Sequence, residues 1–255
     1  MNITDTHCHL YSTDFTADIN EVLDRAATEN VNKFYLPAID STTHNNMILI
    51  EEKYKDKCKA MMGLHPCSVK ENYINELQIV EHWLQQRKFA AIGEIGLDFY
   101  WDKTFTTQQH EAFIFQIELA IKYKLPIVIH TRKAMSETID MLSKYVSQDI
   151  SGIFHCFSGN YNDAIKIIEM GFYLGIGGVV TYKNAGLAEV LTKIDIKHLV
   201  VETDAPYLTP VPFRGKRNES SYLKYVVEKI ATIKNISVEQ VAAITTANAE
   251  KIFGI

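Results

Sequence analysis

The stretch Ile3-Thr4-Asp5-Thr6-His7-Cys8-His9 decides how the rest of the chain is read. It starts as a short extended run and ends in a His-x-His pair. On a strand, residues i and i+2 point to the same side. Both imidazoles therefore face one point while Cys8 faces away. Working outward, the same arrangement recurs. His65 closes the run Cys58–Leu64, Glu94 lies at the end of Ala90–Ile95, and His130 ends Ile127–His130. His155 lies near the end of Gly152–Cys156, and Asp204 follows Leu199–Glu202. With Ile3–Cys8, Val31–Leu36 and Phe172–Ile176 there are eight candidate strands.

Between them lie segments of helical periodicity at Thr16–Glu29, Thr107–Lys124 and Asn162–Met170, and Ser221–Ile233 and Val238–Phe253 close the chain. In Thr107–Lys124, for example, Phe113, Ile117, Ala120 and Ile121 fall on one face. Strand–helix alternation predicts parallel strands joined by right-handed crossovers. His9 and Asp204 span seven such units at about 28 residues each, near the roughly 31 of a 250-residue barrel. The expected fold is therefore α/β, a TIM-type (β/α)8 barrel, with residues 1–255 as a single domain. A doubly wound open sheet is the alternative. No Pro/Gly/Ser-rich linker or low-complexity tract divides the chain.

The bulk composition narrows the function classes. The formal net charge is −5 over 255 residues, so bulk positive charge does not coat nucleic acid; any such contact must be local. Cys8, Cys58, Cys67 and Cys156 form no CxxC pair and read as free thiols in a reducing compartment. No apolar run reaches the roughly 20 residues that span a bilayer, and the first residues lack a basic region followed by an apolar one. A cytoplasmic protein without membrane contact is expected.

Polar metal-ligand residue types thus recur at the C-terminal ends of strands, where barrel enzymes assemble their sites. Any one of these histidines could be a core residue bonded to backbone. The carboxylates are harder to explain away. Glu94 and Asp204 sit in Ala-Ile-Gly-Glu-Ile-Gly and Val-Val-Glu-Thr-Asp, apolar walls in which an unpaired charge costs several kcal/mol or becomes protonated. Bound cations remove that cost. Mixed imidazole and carboxylate donors suit zinc, manganese or a related ion. Two divalent ions against Glu94 and Asp204 leave the site positive, fit to attract an anionic phosphodiester and to lower the pKa of water.

At these residues the chain resembles the TatD family of metal-dependent deoxyribonucleases, within the amidohydrolase superfamily. The resemblance covers essentially the whole chain. It rests on Thr4 to Leu10, Gly63-Leu64-His65-Pro66, Ile92 to Asp98, His130-Thr131-Arg132, His155 to Gly159, Glu202 to Pro210, Arg214 to Glu219 and Ala247 to Gly254. It implies a deformed barrel and two divalent ions per chain, zinc, manganese or magnesium. Its ligands would be His7, His9, Glu94, His130, His155 and Asp204. Glu94 would bridge the ions, with His7, His9 and Asp204 on one and His130 and His155 on the other. It also implies DNA as substrate, cleaved 3′ to 5′ on single strands. The sequence departs from the family's pattern at Ser220, commonly Pro, and at Cys67, often His.

On that basis Asp204 and Glu94 are the expected catalytic groups, with Asp204 as general base. His65, Arg132 and Arg214 are expected to bind phosphate oxygens, and Tyr100 and Trp101 are candidates to stack on a base. Glu202 is a candidate to orient a ligand histidine, or a structural ion-pair partner. The basic run Arg214, Lys216, Arg217 either tracks a nucleic-acid backbone or forms a solvated loop. The rival activity is hydrolysis of a small cyclic amide or ester. Many enzymes of that kind bridge their metals with a modified lysine on the fourth strand, yet no Lys lies between Phe89 and Trp101. A non-catalytic binding protein on the same fold is the second rival. The sequence leaves the oligomeric state open, a monomer included.

Overall fold

A computed structural model describes residues 1–254. Eight parallel strands alternate with helices. The strands are β1 (Ile3–Asp5), β2 (Val31–Leu36), β3 (Cys58–Ala60), β4 (Ile92–Asp98), β5 (Ile127–Arg132), β6 (Gly152–Phe154), β7 (Tyr173–Ile176) and β8 (Leu199–Val201). The helices are α1 (Ile19–Thr28), α2 (Ser41–Lys53), α3 (Tyr73–Gln86), α4 (Thr106–Tyr123), α5 (Met135–Ser143), α6 (Tyr161–Glu169), α7 (Leu187–Thr192), α8 (Leu223–Lys234) and α9 (Val238–Phe253).

The strands pair in sequence order in two groups, β1-β2-β3 and β4-β5-β6-β7-β8. At the two seams the ladder gives way to isolated bridges, Met62 with Ile92 and Cys8 with Ala205. Backbone bonds such as Gly93 N–H to Met62 O (2.9 Å) and Asp204 N–H to His7 O (2.9 Å) carry the chain across them. The result is a deformed TIM-type barrel. Four strands stop before the sequence pattern does: β1 ends at Asp5, β3 at Ala60, β6 at Phe154 and β8 at Val201. β4 and β5 run on instead, to Asp98 and Arg132.

Side chains alternate across the wall, as a barrel requires. Tyr35, Met61, Ala91, Val128, Ile153 and Val200 form one buried cluster, joined by Ala249 and Ile252 from the end of α9. Their chain neighbours Phe34, Leu36, Ile92, Ile127, Ile129, Phe154, Leu199 and Val201 belong to the larger core shared with the helices. In α1, Val22, Leu23 and Ala26 face that core. Reciprocal side-chain caps start α2 (Asp40 and Thr43), α6 (Asn160 and Asp163) and α9 (Ser237 and Gln240). Gly96 marks a close approach: at φ +137° a Cβ there would stand 2.0 Å from His130 O, so only glycine lets β4 and β5 meet.

Candidate metal centre

The predicted ligands converge at one end of the barrel. Glu94, buried on β4, lies at the middle. Its Oε2 is 3.2 Å from His7 Nε2 and 4.0 Å from His9 Nε2. Its Oε1 is 2.9 Å from His130 Nδ1, 3.4 Å from His65 Nε2 and 3.7 Å from His155 Nε2. Asp204 Oδ1 lies 3.3 Å from His9 Nε2 and 3.7 Å from both His7 Nε2 and His155 Nε2. The donors form tight groups: His7, His9 and Glu94; His7, His155 and Asp204; and His65, Glu94 and His130. His155, expected to share an ion with His130, approaches the same Glu94 Oε1 as His130 does and stacks on His7 with ring centres 3.4 Å apart. It stands between the two carboxylates.

Which ring nitrogen faces the centre follows from what holds the other one. Tyr11 donates its hydroxyl proton to Pro37 O, so it accepts from His9 Nδ1 (2.9 Å), leaving the His9 Nε2 lone pair inward. His155 Nδ1 lies 2.9 Å from Glu202 Oε1, outside the direction of a well-formed hydrogen bond, and again Nε2 faces the centre. His130 Nε2 donates to Asp98 Oδ2 at 2.9 Å, so its inward atom is Nδ1. Both ring nitrogens of His7 are buried without a hydrogen-bond partner. His65 is the exception. Its Nδ1 accepts the Cys67 N–H at 3.0 Å, so a neutral His65 presents an N–H to the centre. His65 suits an anion; the others suit a cation.

The electrostatics agree. Burial would raise the Glu94 carboxyl, but His65, His7 and His155 hold it well below the usual range. Asp204 is lowered against its burial by His155, His9 and His7. Burial and the neighbouring His155 depress His7. For His155, burial opposes the charge, yet Cys156, Glu202, Glu94 and Asp204 raise it well above the ordinary histidine value. Two ionised buried carboxylates, the unpartnered ring nitrogens of His7 and the inward nitrogens of His9, His130 and His155 are a donor set that fits divalent cations. Protons and metal compete for the same nitrogens.

A cavity of about 740 Å³ opens over the centre. Its floor holds Glu94, Asp204, His9, His65, His130 and His155, and its walls include Ile39, Val179, Leu208, Trp101 and Arg132. The Arg132 guanidinium rests over Tyr100 (4.0 Å) and Trp101 (5.1 Å), with Trp101 68% exposed. Tyr207, half exposed, edges onto His9 from the same cavity.

The basic loop is placed elsewhere. Arg214 lies 3.8 Å over the Tyr182 ring, and it is not among the residues lining the cavity. Arg217 pairs with Asp18 (2.6 Å), and Asn218 donates to Thr203 O (2.8 Å) and Tyr207 O (2.6 Å). The run braces the Asp204 turn. Ser220 donates to the buried Asp5 at 2.7 Å. Spacing alone missed Asp98, Tyr11 and Tyr207. Only Asp98 left a signal, as a carboxylate ending an apolar strand in Ile92–Asp98.

This constellation meets a match at the level of whole proteins. The sequence profile of TatD-related DNases aligns with residues 4–254. The chain belongs to the TatD family. Its relatives in that family include the uncharacterized metal-dependent hydrolase YabD of Bacillus subtilis, 41% identical with 98% of each chain covered. Another, from Citrobacter rodentium, is named 3′-5′ ssDNA/RNA exonuclease TatD; it is 32% identical over 98% of this chain and 97% of its own. The solved structure of YJJV, a TatD homologue from Escherichia coli, superposes with a TM-score of 0.94 at 27% identity, covering 99% of this chain and 98% of that one. The chain is thus a TatD-family metal-dependent hydrolase acting on ester bonds. Among the described residues no helix is long and apolar enough to cross a membrane.

Proposed function

We propose that this chain hydrolyses phosphodiester bonds of single-stranded DNA, working 3′ to 5′, at a two-cation centre. His7, His9, Glu94, His130, His155 and Asp204 would hold the cations, with Glu94 between them. The observation that carries this reading is Glu94, a buried carboxylate faced within 4.0 Å by the inward nitrogens of His7, His9, His130 and His155. The relative named as an exonuclease supports the substrate class. When bound, the cations supply Lewis acidity and lower the pKa of water.

The protein's own groups do the rest. Asp204 is 13% exposed at its side chain and reaches the cavity, so it takes the proton of the attacking water. The His65 N–H donates to a non-bridging phosphate oxygen. Arg132, held flat by Tyr100 and Trp101, offers its donors to the same phosphate. Trp101 supplies a face for the terminal base. The apolar wall of Ile39, Val179 and Leu208 excludes water from the remaining space.

The deciding assay uses end-labelled single strands and a cyclic amide, with single metals restored after chelation. The expected result is stepwise loss of nucleotides from the 3′ end and no amide opening. A Glu94→Ala variant should lose bound metal and nearly all activity. Retention of either removes the two-cation scheme.

A further inference from the structure

We infer that Asp98 is a positioning residue that ties the second cation position to the aromatic loop at the cavity mouth; the inference rests on the two-cation reading above. The Asp98 side chain is buried and divides its two oxygens between these structures. Oδ2 accepts from His130 Nε2 at 2.9 Å. Oδ1 accepts the backbone N–H groups of Tyr100 (2.9 Å) and Trp101 (3.1 Å). The main chain of Asp98 is clamped in turn by the Gln109 amide, which accepts from Asp98 N–H (2.9 Å) and donates to Asp98 O (3.1 Å). Phe99 N–H bonds to Arg132 O at 2.9 Å, two residues beyond His130. One carboxylate therefore decides which nitrogen of His130 faces Glu94 and also folds the turn on which Arg132 rests.

The isosteric amide separates the two roles. In Asp98→Asn the Tyr100 and Trp101 N–H groups still need an acceptor, so the amide oxygen stays with them. The NH2 group then occupies the Oδ2 place. It donates to His130 Nε2, and the neutral ring must carry its proton on Nδ1, facing Glu94 at 2.9 Å. The lone pair that would hold the cation is gone, while the turn keeps its cap.

The test measures ions per chain by elemental analysis and follows Trp101 emission during zinc titration. Trp83, the other tryptophan, is replaced by Phe. Wild type is expected to hold two ions, with a step in Trp101 emission at the second. Asp98→Asn should hold the first normally, bind the second about 10–100-fold more weakly, and shift the emission step by the same factor. Circular dichroism should be unchanged. Two ions at wild-type affinity in Asp98→Asn, or a Trp101 signal indifferent to the second ion in wild type, overturns the inference while leaving the two-cation reading standing. A wild type that holds one ion overturns both. Should the variant fail to fold, 15N-histidine spectra of the zinc-loaded wild type decide. Coordination of His130 through Nδ1 with the proton on Nε2 supports the inference, and coordination through Nε2 overturns it.

Discussion

Replacing Gly175 by alanine tests how the His155 arm of the centre is held. An ideal Cβ on this β7 residue would stand 2.4 Å from Glu202 Oε2 and 2.8 Å from its Cδ. Glu202 is fully buried, its Oε1 accepts the Cys156 N–H at 2.5 Å, and His155 Nδ1 lies 2.9 Å from the same oxygen. Restoring an ordinary contact requires the carboxylate to move by roughly 1 Å, and overpacking of this kind costs about 1–3 kcal/mol. At about 2–4 °C per kcal/mol for a chain of this size, melting of the metal-free protein should fall by a few degrees to about 12 °C. Metal affinity should fall about 10–100-fold, because the carboxylate that orients a ligand histidine is displaced. Gly177→Ala is the matched control, since its Cβ meets nothing nearer than Glu202 O at 3.5 Å; it should stay within about 0.5 kcal/mol of wild type. Scanning fluorimetry and a competitive-chelator titration read the two quantities separately. Wild-type metal affinity in a destabilised Gly175→Ala protein would refute the orienting role of Glu202. Equal losses in both variants would show general crowding of the strand instead.

Trp101→Ala should weaken single-strand binding by about 1–3 kcal/mol, the worth of one stacked base, and unchanged affinity in a filter-binding titration removes the stacking role. Arg214→Glu should change strand affinity by less than about threefold, because this guanidinium packs on Tyr182 outside the cavity and its field is screened there; a larger, salt-dependent loss would return the loop to the substrate path. Asp18 accepts from Arg217 and Arg25, and the hydrogen bond from Arg217 leads in lowering its carboxyl to about 2 from 3.8. A lowered value stabilises the fold above the unfolded pKa and is lost as the pH falls from about 4 toward 2. Asp18→Asn should therefore melt below wild type at neutral pH, with the gap closing on acidification, and a gap independent of pH contradicts the pairing.

How much was legible depended on how local the cause is. β2 and α9 fall where the sequence puts them, Val31–Leu36 and Val238–Phe253: β2 buries Val31, Phe34, Tyr35 and Leu36, and α9 buries Val241, Ala242, Thr245, Thr246, Ala249 and Ile252 at helical spacing. α2 gave little signal: Ser41, Thr42, Thr43, Asn45 and Asn46 are weak helix formers, and its buried face includes His44 and Glu51. The six expected metal ligands could be picked out because each is a polar residue at the end of an apolar run. Which nitrogen His9 and His130 turn inward could not, since it is set by Pro37 through Tyr11 and by Asp98, and the same holds for His65, the expected phosphate binder, through Cys67. The partners of the basic loop were hidden for the same reason. Its charges are visible in sequence, but the Asp18 that engages Arg217 lies 199 residues away.

The seam between β8 and β1 explains why His7, His9 and Asp204 sit where strand pairing fails. A regular ladder fixes side chains alternately in and out, and a strand that kept its ladder would spread donors along the wall. β1 leaves its ladder after Asp5, so His7, Cys8 and His9 make only single backbone bonds to Asp204, Tyr35 and Ala205. Beside them Asp204 adopts φ 58° and, past the end of β6, Cys156 adopts φ 44°. Left-handed backbone at a non-glycine residue costs on the order of 1–3 kcal/mol and persists only where surroundings over-determine it. Here they do. Glu202 accepts the Cys156 N–H, and His7 O accepts the Asp204 N–H. Asn218, fully buried, bonds both Thr203 O and Tyr207 O on either side of Asp204. Each strained residue is thus fastened by a neighbour distant in sequence; one fastening sets Asp204 against His7 and His9, and the other holds the turn that follows His155, whose Nε2 faces Glu94.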